Sequence, residues 1–329
     1  MKQALLQTLL VLAAAGVSAG ASAQATSKEP AYPSKPIRMI VPFTPGSATD
    51  IIARIVATKL VDSLGKQIVI DNRPGAGGIV AFNIVAEATP DGHTLTTTGS
   101  NFSGSAALYA HKLPYDPVKD FAGITQLAST PLILVVAPSL GAKSVKELIA
   151  LTKQKPGQIN FGSTGLGSGP HYGGELFKLT AAIDVVHVPY RGTPEVLNDV
   201  MAGRVHYFLS PVLAVVPLVK GGRVLALGVT TKQRAPSLPD VPTIAEAGLA
   251  GFEYQGWYGM FAPGKTPRTL INLLNKEVGR IMELPEIKER IAGLGAAARR
   301  STPEEFDKLA REEIITRTKV WKAAGVKAE

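Results

Sequence analysis

Cysteine is missing from all 329 residues. Its absence excludes disulfides, thiolate metal sites and lipid attachment at a processed N-terminal cysteine, so packing must hold the fold together. Histidine is scarce as well. His93, His111, His171, His187 and His206 form no i, i+4 pair and no H-E-x-x-H, so no metal site and no cofactor is expected. After residue 23 there is no G-x-S-x-G elbow and no serine with an obvious His and Asp context, which removes the usual sequence mark of a hydrolase. Gly259 to Thr266 formally matches G-x-x-x-x-G-K-[ST]. Met260, Phe261 and Pro263 fill its interior, however, and Pro267 makes Thr266 a helix cap, so a phosphate loop is rejected. Basic residues are scattered, with no run longer than Arg299-Arg300, which argues against nucleic acid.

Long apolar runs are confined to the beginning. Lys2 precedes an apolar stretch from Ala4 to Val17, and Ala21-Ser22-Ala23 supplies the small-x-small pattern of a signal peptidase site. Residues 1–23 are read as a secretory signal cleaved before Gln24, because the stretch is too short to anchor in a bilayer. About 300 residues remain, enough for a large core and normally divided into two domains. Removing the signal lowers the formal charge of +9 by one, the charge of Lys2. That excess fits an anionic ligand or an anionic envelope surface without marking a site.

Apolar periodicity then gives an order of elements. Ile37 to Val41 reads as a buried strand, and Ile51 to Leu64 carries helical spacing closed by Gly65. A strand over 67–71, a helix over 79–88 and a strand over 93–98 follow, the helix ended by Thr89-Pro90-Asp91-Gly92. This alternation predicts an α/β fold with mainly parallel sheets. A second strand set begins near Ile124, Ser144 and Glu147 form a capping box for a helix, and Thr193-Pro194 marks another helix start. The aromatic stretch Phe252 to Pro263 precedes C-terminal helices over 267–282 and 303–323. Two α/β halves with a late return of the chain predict two lobes, 24–124 plus 254–329 and 125–253, crossing near 124–127 and 254–258, and ligand sites favour such clefts.

Three glycine-rich turns follow β-branched or aromatic runs and precede helices, so each offers unpaired N–H groups at the positive end of a helix, a place for an anion. In the first, Ser47 to Asp50 has the form of a capping box, and the N–H groups around Phe43, Thr44, Gly46 and Ser47 also have access to a ligand. The second, Gly75-Ala76-Gly77-Gly78, lacks the third glycine of a dinucleotide fingerprint, since position 80 is Val80. A tight turn explains one of its glycines better than three. The third runs from Gly162 to Pro170, where Ser163, Thr164, Gly167 and Ser168 supply hydroxyls and open backbone. His171 just beyond it reads more readily as packing or capping than as a ligand contact. Ser100, at the end of the third strand, joins the candidate set. Tyr190 is placed in the cleft, and Arg191 is either a carboxylate grip or a solvated charge.

Several segments in this order carry a family resemblance: Tyr32-Pro33-x-Lys35-Pro36-Ile37-Arg38, Val41-Pro42-Phe43-x-Pro45-Gly46-x-x-x-Asp50, Asn72 to Gly78, Pro90 to Leu95, Val188 to Gly192 and Leu238 to Ile244. From Tyr32 to the C-terminal helix the chain resembles the Bug family, the periplasmic solute-binding receptors of tripartite tricarboxylate transporters. The resemblance implies a two-lobed type II periplasmic binding protein that closes like a hinged trap. It implies that main-chain amides of the Phe43–Ser47 and Gly75–Gly78 turns hold a ligand carboxylate, while Ser163 to Ser168 and the Tyr190 segment contact the rest. Ser47 stands where the family usually has a second glycine, and Ile79-Val80-Ala81 replaces a frequent Asn-Ile-Gly run.

The expectation is a non-catalytic, monomeric, exported receptor that captures a small organic carboxylate and passes it to membrane transporter subunits. A carboxylate sensor feeding a signalling partner is the alternative, and an exported hydrolase using Ser163 or Ser168 with His171 is a more distant one.

Overall fold

The computed structural model describes residues 32–110 and 112–327. The signal read over residues 1–23 lies outside the described residues, as does His111. Of the N-terminal unit, Met1–Ser34, the described residues 32–34 form no helix or strand, and a second unit runs from Lys35 onward.

That second unit opens with strand β1 (Ile37–Val41), helix α1 (Ala48–Leu64), β2 (Ile68–Asn72), α2 (Ile79–Ala86), β3 (Thr94–Gly99) and α3 (Asn101–Leu108). The helical spacing read from Ile51 onward is real: Ile52, Ile55, Val56 and Leu60 of α1 are buried, and Gly65 ends the helix in the left-handed region at φ 67°. The chain continues through β4 (Phe121–Thr130), β5 (Leu132–Val136), α4 (Val145–Gln154), β6 (Asn160–Ser163), α5 (Gly169–Ala181), β7 (Val186–Pro189), α6 (Thr193–Met201), β8 (Tyr207–Pro211), α7 (Val212–Lys220) and β9 (Leu225–Val229). It returns in β10 (Gly256–Pro263) and ends with α8 (Arg268–Glu283), α9 (Pro285–Gly293), β11 (Ala297–Ala298) and α10 (Pro303–Ala323). Two helices have no counterpart in the sequence reading, α3 and α9.

The strands form two sheets, ordered β11-β4-β10-β3-β1-β2 and β7-β6-β8-β5-β9. Pairing is parallel within β2-β1-β3 and β7-β6-β8, where helices cross between strands. It is antiparallel where β10 joins β3 and β4 and where β5 joins β8 and β9. The sheets are therefore mixed rather than mainly parallel, because β10 in the first sheet and β5 in the second run against the strands of the βαβ units. β4 remains in the first sheet through Thr130, and β5 opens the second at Leu132.

An aromatic cluster fills the first half: Phe102 stacks on Phe261 at 4.6 Å and meets Phe82 edge-on at 5.2 Å, with Phe121, Trp257 and Phe306 beside them. Such pairs add about 0.5–1.5 kcal/mol each beyond the area they bury. Helix α10 is started by Thr302 and Glu305 in a full capping box, and its Trp321 packs among residues of the second-sheet core, including Tyr172.

Candidate ligand-binding site

Between β1 and α1 the chain turns through Phe43-Thr44-Pro45-Gly46-Ser47. Gly46 takes φ 81°, which a side chain would strain. Its N–H donates to Asp50 Oδ2 at 2.9 Å, and the same carboxylate accepts from Arg54 Nε at 2.9 Å and Asn72 Nδ2 at 3.0 Å. Burial works to raise the Asp50 pKa, but the bonds from Arg54, Gly46 and Asn72 outweigh it and hold the carboxyl below its ordinary range. Asp50 thus braces the turn from within. The capping box read over Ser47 to Asp50 is not formed: the Ser47 side chain makes no cap bond. Its hydroxyl instead accepts the Thr193 N–H of α6 at 3.2 Å. Left uncapped, the first N–H groups of α1, on Ala48 and Thr49, have no intrahelical partner.

Those groups border a cavity of about 40 Å³, room for roughly three water-sized groups. Ser47, Ala48 and Thr49 bring the start of α1 to it, and Ser100 and Asn101 bring the start of α3. From the other sheet come Gly169-Pro170 at the start of α5, Thr193 at the start of α6 and Pro211 ahead of α7. All five helices begin at the C-terminal ends of strands, where open α/β sheets place ligands. Phe43, Thr130, Leu132, Thr164, Tyr254, Trp257 and Tyr258 complete most of the wall. No Asp, Glu, Lys, Arg or His lines the cavity among the described residues. The Ser100 hydroxyl accepts from Trp257 N–H at 3.0 Å, which leaves its own hydrogen to donate.

A second, larger groove of about 320 Å³ adjoins the first, because Phe43 and Thr164 line both. Here lie Gly75, Ala76 and Gly77 together with Gly165, Leu166, Tyr190 and Arg191. The second glycine turn has a packing reason for its composition: a Cβ on Gly77 would stand 2.0 Å from Leu166 O, and one on Gly78 would stand 2.7 Å from Asn101 Nδ2. Ala76 itself takes φ 46°.

Of the residues singled out from the sequence, the structure therefore brings Phe43, Ser47, Ser100 and Thr164 to the cavity, and Phe43, Gly75, Ala76, Gly77, Thr164 and Tyr190 to the groove. Thr44, Gly46 and Asp50 shape the first turn; Thr44 Oγ1 donates to Glu195 Oε2 of α6 at 3.1 Å. Gly78, Ser163, Gly167, Ser168 and His171 line neither space. Ser168 caps α5 by accepting His171 N–H at 3.2 Å. Ser163 Oγ lies 2.6 Å from His187 Nε2 and is fully buried. A Cβ on Gly167 would sit 2.9 Å from Ser105 Cα. His171 is buried, its ring stacked on His187 at 4.0 Å and Trp321 at 4.8 Å. Tyr190 directs its hydroxyl to Asp199 Oδ2 at 2.5 Å, and burial followed by that bond pushes its pKa up to about 12.

Sequence reasoning missed Thr130, Leu132, Gly169, Thr193 and the aromatic wall of Tyr254, Trp257 and Tyr258. The unusual aromatic density from Phe252 to Phe261 was the available signal. Among the described residues no group of His, Asp and Glu is arranged to hold a metal ion, and no helix is long and apolar enough to cross a membrane.

Residues 52–326 match the tripartite tricarboxylate transporter family receptor, TctC. The chain belongs to that family. Among its relatives in the receptor family, BugT of Bordetella pertussis is 33% identical over 319 residues, covering 97% of this chain and 96% of that protein. An R. palustris protein solved with adipate superposes at TM-score 0.86 with 34% identity, over 89% of this chain and 98% of that one. MatC of Rhodopseudomonas palustris, solved with bound malate, gives TM-score 0.84 at 33% identity, over 88% and 99% of the two chains. The fold is the two-lobed, type II periplasmic binding fold, and the chain is a Bug-type solute-binding receptor.

Proposed function

We propose that this receptor works outside the cytoplasm, encloses a small organic acid between its lobes, holds the carboxylate on main-chain N–H groups, and presents the closed form to the membrane subunits of a tripartite transporter. One observation carries the reading: five helix N-termini meet at one cavity whose lining, among the described residues, has no charged side chain. Their partial positive charges, with the uncapped N–H groups of Ala48 and Thr49 at the start of α1, suit an anion. Hydrogen bonds to a charged acceptor contribute about 1.5–3 kcal/mol each, much of it offset by desolvation and lost freedom. A site without a countercharge can also let its ligand go, as a transport receptor must. Adipate and malate in the two related structures support a carboxylate as the ligand class.

In this reading the carboxylate lies against Ala48 and Thr49, with Ser100 and Thr164 as hydroxyl donors, and the rest of the acid extends past Phe43 and Thr164 toward the groove of Gly75 to Gly77 and Tyr190. Gly78, Ser163, Gly167, Ser168 and His171 support these walls from behind. We place the crossings at Pro131 and between Thr230 and Gly256, the first of them later than the apolar runs indicate. The bonds Thr44–Glu195 and Ser47–Thr193 are closing contacts between the lobes. The molecule binds without turnover, since Ser163 is sealed against His187 and Ser168 is spent on a helix cap.

A thermal-shift screen of organic acids finds the ligand, because binding to the folded state alone raises the midpoint. Carboxylates are expected to give shifts that their amides and esters do not. Ala48→Pro then tests the site. Proline fits the first helical position and removes one N–H without breaking the helix. The variant should keep its unliganded midpoint and bind the acid at least about tenfold more weakly; unchanged affinity contradicts the proposal. Loss of uptake of that acid after gene deletion separates transport from the sensor alternative.

A further inference from the structure

The helix N-termini account for part of the cavity wall; its aromatic part has chemistry of its own. Tyr254 precedes β10 on the returning segment, where its N–H donates to Thr230 O at 2.8 Å and its carbonyl accepts from Thr230 Oγ1 at 2.7 Å. Its hydroxyl stands at the cavity edge: a Cβ added to Gly169 or Gly256, both in the lining, would lie 3.0 or 3.3 Å from that oxygen. Behind it is Arg317 of α10, only 1% exposed. Arg317 Nη2 donates to Tyr254 Oη at 3.0 Å and to Glu313 Oε1 at 2.8 Å, and the guanidinium lies 4.2 Å over the Tyr172 ring. Glu313 Oε2 accepts from Trp257 Nε1 at 2.7 Å.

This arrangement is expensive for a joint between helices. Arg317 Nε and Nη1 are buried without a hydrogen-bond partner among the described residues, and apolar side chains of similar volume would pack there at no such cost. Burial opposes the charge of Arg317, but Glu313 and Tyr254 more than compensate, so the guanidinium stays protonated. Because the Tyr254 oxygen accepts from Arg317, its own hydrogen is free to point elsewhere, and no described residue accepts it.

We infer that Tyr254 donates a hydrogen bond to the bound carboxylate and that Arg317 acts through it, as a positioning residue that makes the cavity select a charged end over a neutral one. The inference rests on the carboxylate reading above. The Arg317–Glu313 pair is neutral as a whole, but its positive end faces the Tyr254 oxygen and its negative end faces Trp257. The phenol O–H is therefore polarised as a donor, while the full positive charge stays one residue back from the ligand.

Calorimetric titration of malate and adipate into the full exported chain tests this with Tyr254→Phe, Arg317→Lys, Arg317→Met and the double variant Tyr254→Phe/Arg317→Met. Tyr254→Phe is expected to weaken the probe that binds by about tenfold and, because Arg317 Nη2 keeps Glu313, to lower the unliganded midpoint less than Arg317→Met does. Arg317→Lys should keep most of the affinity and Arg317→Met should fall to the level of Tyr254→Phe. The double variant should be no weaker than Tyr254→Phe alone, which independent structural damage would not produce. Should Arg317→Met fail to fold, the Tyr254→Phe result decides alone. Native affinity in Tyr254→Phe overturns this inference and leaves the carboxylate reading standing. A native chain that binds no carboxylate in the acid screen overturns both.

Discussion

Ser47 and Asp50 divide between them the work that a capping box would do together. Asp50 turns inward to the Gly46 N–H, Arg54 and Asn72, so the turn holds its shape without any ligand. Ser47 is released to reach Thr193 N–H across the cleft, and the α1 N–H groups are left open. The two residues should therefore fail differently. Ser47→Ala is expected to leave the unliganded stability close to native and to weaken acid binding about fivefold, the worth of one neutral hydrogen bond at closure, as read by calorimetric titration. Asp50→Ala should instead lower stability by about 1 kcal/mol, because it removes the buried carboxylate that ties the Gly46 N–H, Arg54 and Asn72 together, as read by denaturant unfolding without ligand. A native unfolding curve for Asp50→Ala would remove its bracing role.

At the scale of elements, helix starts were legible and their neighbours were not. Proline, glycine and a small polar residue after a strand mark the start of α1 and α5, and both starts reach the cavity. The same composition at Gly75 to Gly78 arises from close backbone approach, Gly77 against Leu166 O, so one signature has two physical causes. Helix α3 went unread because Asn-Phe-Ser-Gly-Ser-Ala-Ala-Leu has little intrinsic helical preference. Tertiary packing of Phe102 holds it, and its first turn supplies Ser100 and Asn101. The antiparallel β10 and its aromatic wall come from distant chain, which periodicity within a window does not report. Gly77→Val tests the packing cause: its Cβ collides with Leu166 O, so the variant is expected to lose unliganded stability as well as acid binding, which a side chain that merely filled the groove would not do. Native affinity would show that the two turns need not meet.

For the whole molecule, the stacked pair of buried His171 and half-buried His187 ties stability to pH. Burial, with His187 and Lys178 adding to it, lowers the His171 pKa to about 2; burial and Lys178 lower that of His187 to about 4. Both rings are neutral when folded, so stability is full above the unfolded value near 6.5 and falls as pH drops toward 4, where unfolded chain binds protons that folded chain refuses. For His187 the loss is about 3 kcal/mol by pH 4. Burial raises the neighbouring Glu175 carboxyl, which works in the opposite sense. His187→Asn should lessen the fall of the midpoint between pH 6.5 and 4, with His171 keeping the remainder, and an unchanged slope would clear His187 of that role. The central claim concerns the cleft between the sheets, and a crystal structure with whichever acid gives the largest thermal shift tests it most directly. The account predicts carboxylate oxygens within hydrogen-bond distance of the Ala48 and Thr49 N–H groups, between the two sheets. A charged end lying outside that cavity, or paired with a lysine or arginine, would contradict it.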